Sequence, residues 1–145
     1  MGRLTVDRLA VLFEGRTRFV TRLADYDDPL RHARAVLRSL PEADVVEALN
    51  AHPRIGTRPL SARSAAEQGQ ENDPAVLEEL ARLNRAYEEK FGFRFVVFVN
   101  RRPRSQILAV LRERYARTRE EELVTAREEL VAIAEDRLRT SLRSP

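Results

Sequence analysis

Two short stretches carry residue types that could do chemistry. In Ala51-His52-Pro53-Arg54-Ile55-Gly56, one of the chain's two histidines stands directly before a proline and close to a glycine. In Ser64-Ala65-Ala66-Glu67-Gln68-Gly69, a carboxylate and an amide follow within reach of a short loop. Proline fixes its own φ and pushes the residue before it towards extended geometry, while glycine permits turns that other residues resist. His52 is therefore expected on a stiff connection with its ring aimed. An imidazole serves as general acid or base, and a carboxylate beside an amide can hydrogen-bond a heterocycle or a urea-like group. Far along the chain, Arg137 falls near the centre of an apolar helical stripe, between Ile133 and Leu138. An arginine there is costly unless it is paired or faces an anion. An internal salt bridge and a cation for a substrate carboxylate both satisfy that condition. By residue type alone, a lone loop histidine is more often structural than catalytic, and composition alone favours reading Glu67-Gln68 as part of an exposed helical turn.

The elements that must position these groups are mostly helical. Leu4, Leu9, Leu12 and Phe13, then Phe19, Val20 and Leu23, recur at helical spacing, with Gly15 marking a break. Asp25 to Pro29 reads as a turn with an aspartate available to cap the next helix. Leu30, Ala33, Val36, Leu37 and Leu40 form one stripe; Pro41 interrupts it, and Val45, Val46 and Leu49 lead on to His52. His32, among Asp28, Arg31 and Arg34, reads as a solvated surface histidine. Asp73-Pro74 starts a helix whose buried face is Leu77, Leu80, Leu83, Asn84, Tyr87 and Phe91, ending at Gly92. Ser105 is expected to cap a helix carrying Ile107, Leu108, Val110, Leu111 and Tyr115. Thr118 is expected to cap a long final helix through Leu142, its stripe being Leu123, Ala126, Leu130, Ile133, Ala134 and Leu138.

One stretch reads as extended: Phe93-Arg94-Phe95-Val96-Val97-Phe98-Val99-Asn100, aromatic and β-branched, with glycine before it and Arg101-Arg102-Pro103 after it. A single strand has no partner in a helical chain. It can pair with its copy in a second subunit or pack as a wall between helices, and the wall is the preferred reading. Buried extended backbone must find hydrogen-bond partners, and a ligand can be one of them.

Composition bounds the rest. A chain of 145 residues with 43% hydrophobic and 34% charged residues fits one helix-rich globular domain over residues 1–145. No apolar run reaches membrane-spanning length, no signal-peptide core opens the chain, and cysteine is absent, so a cytoplasmic protein without disulfides or thiolate metal sites is expected. Two histidines without cysteine argue against a protein-built zinc site. The net charge is only +3, and the basic residues, all arginine except Lys90, alternate with acids, as in Arg112-Glu113-Arg114. Nucleic-acid binding would need them gathered on one face. P-loop, GxGxxG, HExxH and GxSxG motifs are all absent. The parts that remain suit cofactor-free chemistry on a small polar anion.

Four motifs taken in order, His52-Pro53-Arg54-Ile55-Gly56, Ser64-x-x-Glu67-Gln68-Gly69, Phe91-Gly92-Phe93-x-Phe95-Val96-Val97 and Ile133-Ala134-x-x-Arg137-Leu138, resemble 2-oxo-4-hydroxy-4-carboxy-5-ureidoimidazoline (OHCU) decarboxylase along essentially the whole chain. The resemblance implies an all-α, single-domain bundle of about seven to eight helices with one extended segment, about 93–99, lining the pocket. It implies a cofactor-free carboxy-lyase, with no bound metal, that performs the last step from urate to S-allantoin. It makes His52 the acid/base residue, with Glu67 as the second catalytic group, and Pro53 a rigid substrate contact. Ser64, Glu67 and Gln68 would hydrogen-bond the ureido and ring groups. Phe95, Val96, Val97, Phe98 and Val99 would line the pocket, partly through their backbone, and Arg137 would face the substrate's anion. A homodimer and functional coupling to urate oxidase and 5-hydroxyisourate hydrolase are implied as well. One departure is Arg94, where the family usually has proline; its alternation with Phe93 and Phe95 points it away from the pocket, so altered rigidity is expected rather than lost activity. The ending Arg143-Ser144-Pro145 lacks a peroxisomal Ser-Lys-Leu address, in keeping with a bacterial-type cytoplasmic enzyme. The rival readings are a basic helical module for nucleic acid or an acidic partner, a scaffold that has lost catalysis, and a same-fold enzyme for a related ureido acid.

Overall fold

The computed structural model describes residues 4–55 and 73–143. Seven helices run through them: α1 (Val6–Leu12), α2 (Arg18–Leu23), α3 (Pro29–Ser39), α4 (Glu42–Asn50), α5 (Pro74–Phe91), α6 (Arg104–Tyr115) and α7 (Arg119–Arg143). No strand occurs among the described residues. The fold is all-α, as the periodicity requires.

Four of the seven helices start on side-chain caps. The Oγ1 atoms of Thr5 and Thr17 accept from the amides of Arg8 and Val20 and start α1 and α2. Asp73 accepts from Ala75 N at 3.0 Å with Pro74 in the first turn of α5. At the start of α7, Thr118 and Glu121 bond each other's backbone amides at 3.2 and 3.0 Å, a reciprocal capping box. Helix α5 ends on Gly92, whose φ of +82° is a conformation that a residue with Cβ resists.

Two expected caps differ. Asp28 stands at the N-cap of α3, but its side chain makes no capping bond. Ser105 lies inside α6 instead of capping it. The carbonyl of Pro103 already accepts from the amides of Gln106 and Ile107, which moves the start of the helix upstream to Arg104.

The 25-residue α7 is the spine, with α1, α3 and α4 packed along it and α2 against α1, α3 and α4. Helices α5 and α6 pack on each other. The buried apolar side chains of all seven helices and of the extended segment form one core cluster. Phe93, Phe95, Val96, Val97 and Val99 are each at most 4% exposed, without strand pairing, so the segment is a wall between helices. Tyr87 holds the rings of Phe93 and Phe95 edge-on at 5.9 and 5.3 Å.

With no neighbouring strand, side chains take the wall's backbone bonds. Asn50 Oδ1 accepts from Arg94 N, and Arg114 Nη1 donates to Val96 O at 2.8 Å. Arg102 donates to the carbonyls of Phe98 and Val99 at 2.6 and 3.0 Å, and Glu129 accepts from Phe98 N. Arg114 and Glu122, which sequence alone reads as part of the dispersed charge, are buried behind the wall. Arg114 donates to Glu122 at 2.8 Å, Tyr87 OH to the same oxygen at 2.6 Å, and Arg117 to the other at 3.0 Å.

Candidate functional site

The site forms where three elements meet. The loop after α4 contributes His52, Pro53 and Ile55, the wall contributes Phe95 to Val99, and α7 contributes Ile133 and Arg137. Together they line one partly open pocket. Side chains of an extended chain alternate between its two faces. Five consecutive residues therefore line one pocket only if the pocket runs along the edge of the segment, where the peptide groups lie.

His52 is 5% exposed, and its Nε2 is buried with no hydrogen-bond partner among the described residues. Burial pushes the imidazole down to about 3, the Arg137 charge adding to the effect and the Glu14 carboxylate opposing it. The ring is thus a neutral imidazole throughout the physiological range, able to accept a proton or polarise a bound group. Its backbone is fixed on both sides: His52 N donates to Leu49 O, and Arg94 donates to His52 O at 2.9 Å. Further on, Arg54 forms a two-pronged pair with Glu88, and Asn84 donates to Ile55 O at 3.0 Å. Glu88 and Asn84 are one turn apart on α5, so that helix staples the loop at two successive residues.

Arg137 is 3% exposed. Its Nη1 donates to Leu12 O at 3.1 Å and pairs with Glu14 Oε1 at 3.0 Å, while the side chain lines the pocket. The internal salt bridge is present, and because a guanidinium has five donors this pairing does not by itself use up the side chain that lines the pocket. Glu14, in the break between α1 and α2, adopts φ +64°. Positive φ is costly for a residue with Cβ, and here it accompanies the placing of a carboxylate against Arg137. This turn lies against the end of α4, where a Cβ built on Gly15 would sit 3.4 Å from that of Ala51, an ordinary van der Waals contact.

The structure thus brings His52, Pro53, Phe95, Val96, Val97, Phe98, Val99 and Arg137 to one pocket. Ser64, Glu67 and Gln68 lie outside the described residues. Away from the pocket, His32 is half-buried and stacks on Tyr26 with centroids 4.5 Å apart. Sequence reasoning missed Glu14, whose role depends on a backbone conformation that no residue pattern signals. It also missed the staple by Glu88 and Asn84, although their i, i+4 spacing on a helix was a usable signal.

Residues 6–139 match the profile of the OHCU decarboxylase family. The chain is 35% identical over 105 residues to the uric acid degradation bifunctional protein TTL of Arabidopsis thaliana, spanning 32% of that longer protein. It is 36% identical over 118 residues to a 2-oxo-4-hydroxy-4-carboxy-5-ureidoimidazoline decarboxylase of Haloferax volcanii, covering 77% of this chain and 70% of the relative. A decarboxylase of the same description from Amia calva is 32% identical over 116 residues, covering 74% of this chain and 66% of the relative. Among solved structures, an OHCU decarboxylase crystallised in the presence of (S)-allantoin superposes with a TM-score of 0.80 at 27% identity, over 95% of this chain and 99% of that one.

Proposed function

The chain belongs to the OHCU decarboxylase family, and we propose that it converts 2-oxo-4-hydroxy-4-carboxy-5-ureidoimidazoline to (S)-allantoin and CO2 as a single cytoplasmic domain over residues 1–145. The observation that carries this reading is the buried, neutral His52, its Nε2 without a partner among the described residues, lining one pocket with Arg137 and the apolar wall. The substrate carries a carboxylate and a hydroxyl on one ring carbon. Arg137 would hold its anionic charge, and Pro53 would press the ring against the edge of Phe95 to Val99, where peptide groups can meet ureido N–H and C=O. His52 would polarise or deprotonate the hydroxyl-bearing centre as the C–C bond to the carboxylate breaks. The electron pair passes into the adjacent carbonyl or imine system, so the reaction needs no cofactor sink. The hydroxyl-bearing carbon becomes a carbonyl as its O–H proton is lost, and protonation of the adjacent ureido-bearing carbon on one face sets the configuration. An apolar wall removes water from a carboxylate, one contested contribution to the rate. Ser64, Glu67 and Gln68 would hold the ureido and ring groups from the segment between the loop and α5, with Glu67 orienting the substrate.

The rival nucleic-acid reading finds little support, since Arg34, Arg54, Arg82 and Arg119 are each paired with carboxylates. The decisive experiment follows circular dichroism while urate is turned over by urate oxidase and 5-hydroxyisourate hydrolase, with and without this protein. Optically active allantoin should build up rapidly only when the protein is added, and His52→Ala should lower that rate by at least about two orders of magnitude, the lower end of the range for general acid–base catalysis. A signal that grows only at the spontaneous racemic rate would remove the decarboxylase reading and direct attention to related ureido acids. The same reading carries a homodimer and functional coupling to those two enzymes. Light scattering on the purified protein should give twice the 16.7 kDa chain mass.

A further inference from the structure

We propose that Arg94 is a positioning residue for His52, setting the imidazole at its working distance from the pocket wall. Its guanidinium Nη1 donates to the carbonyls of Asn50 and His52 at 2.7 and 2.9 Å. Its backbone N–H donates to Asn50 Oδ1 at 2.9 Å. Three bonds from one residue therefore hold the end of α4 and the loop that follows. A cation there is doubly suited to the place. The last carbonyls of a helix lack intrahelical partners, and the helix dipole puts negative potential at that end.

The tether matters for the site because of what lies beside it in sequence. Arg94 directly precedes Phe95, the first wall residue of the pocket, while Arg94 itself lies outside the pocket lining. It thus joins two of the three elements that build the pocket from behind, without touching the space a substrate would fill. His52 N is already bonded to Leu49 O, so the contact to His52 O completes the fixing of that residue's backbone and leaves the ring only its side-chain torsions. Among the described residues, Arg94 is the wall side chain that hydrogen-bonds the His52 backbone. Proline at this position could supply neither the N–H nor the cation, so the stiffness here comes from hydrogen bonding.

The effect on turnover rests on the decarboxylase reading, but the positional claim has a readout independent of it. The chain has only two histidines, so a long-range ¹H–¹⁵N spectrum contains two imidazoles, and His32 on α3 serves as the internal reference. In Arg94→Ala the His52 resonances should shift while those of His32 stay in place. The kcat for the ureidoimidazoline should fall about tenfold to a hundredfold with KM changed less than about threefold, as for a misplaced group of the order of 1 Å. Arg94→Lys, which keeps a cation with N–H donors but loses the rigid planar fork, should restore part of both the spectrum and the rate. Unchanged His52 resonances in folded Arg94→Ala would overturn the proposal, whatever the rate does. Should Arg94→Ala fail to fold, Arg94→Lys decides by the same spectrum, a His52 shift supporting the tether and its absence overturning it. If the wild-type protein turned over no ureidoimidazoline, the functional reading would fall while the spectrum still decided the role of Arg94.

Discussion

At the scale of single residues, the site depends on keeping His52 neutral. A buried imidazole with its pKa pushed down to about 3 binds fewer protons than the same group in the unfolded chain, whose ordinary value is about 6.5. Between those values the unfolded state takes up the proton and the folded state does not. Stability is therefore fully present above pH 6.5 and declines as the pH falls from there towards 3. From pH 7 to pH 5 this one group should cost about 2 kcal/mol. Urea unfolding at the two pH values checks it, since His52→Gln should lose correspondingly less between them. An equal loss in both proteins would mean that His52 is not held neutral by burial. The same property shapes the pH dependence of activity: kcat/KM should show no limb near 6.5 from His52 in the free enzyme.

At the scale of elements, the extended wall is the unusual part. Helices satisfy their own backbones, but residues 93–99 depend on side chains from elsewhere, among which Arg114 is the most deeply placed. It bonds Val96 O, pairs with the fully buried Glu122 and lies 4.6 Å over the Phe95 ring. Replacing it with methionine would leave a buried carboxylate with fewer partners and a wall carbonyl with none. Breaking a buried pair from one side typically costs about 3–5 kcal/mol. Arg114→Met should lose that much stability by urea denaturation, and the loss should change little with salt. A loss below about 1 kcal/mol, the range of exposed pairs, would show that the network does not hold the wall.

At the scale of the molecule, α7 gathers the amino-terminal helices and carries Arg137 to the pocket. Arg34 on α3 reaches across to Glu128 and Glu135 on α7 at 2.7 and 3.1 Å, hydrogen bonds that hold its guanidinium above its already high ordinary value. Its side chain is 38% exposed, so solvent screens the pair. Arg34→Ala should cost no more than about 1 kcal/mol, with the difference from wild type shrinking as salt rises. A larger or salt-independent loss would point to packing of the arginine stem as the main contribution. That contrast with Arg114 separates interactions that merely accompany the bundle from those that hold the pocket.

The sequence alone determined the helices, because apolar spacing and caps are local and each segment can be judged by itself. It marked His52 by the proline beside it, the wall by its β-branched run between Gly92 and Pro103, and Arg137 by its intrusion into an apolar stripe. It could not locate the start of α6 at Arg104, since the carbonyl of Pro103 outcompeted the hydroxyl of Ser105 for the amides there. Only the tertiary structure decided that Arg114 and Glu122, ordinary members of a mixed-charge surface by composition, are buried behind the wall. Only the tertiary structure brought Glu14 to Arg137 and Arg94 to the carbonyl of His52. Those pairings join residues 123 and 42 positions apart. Their partners are set by how helices pack, and a charge in a sequence carries no mark of which distant carbonyl or carboxylate it will meet.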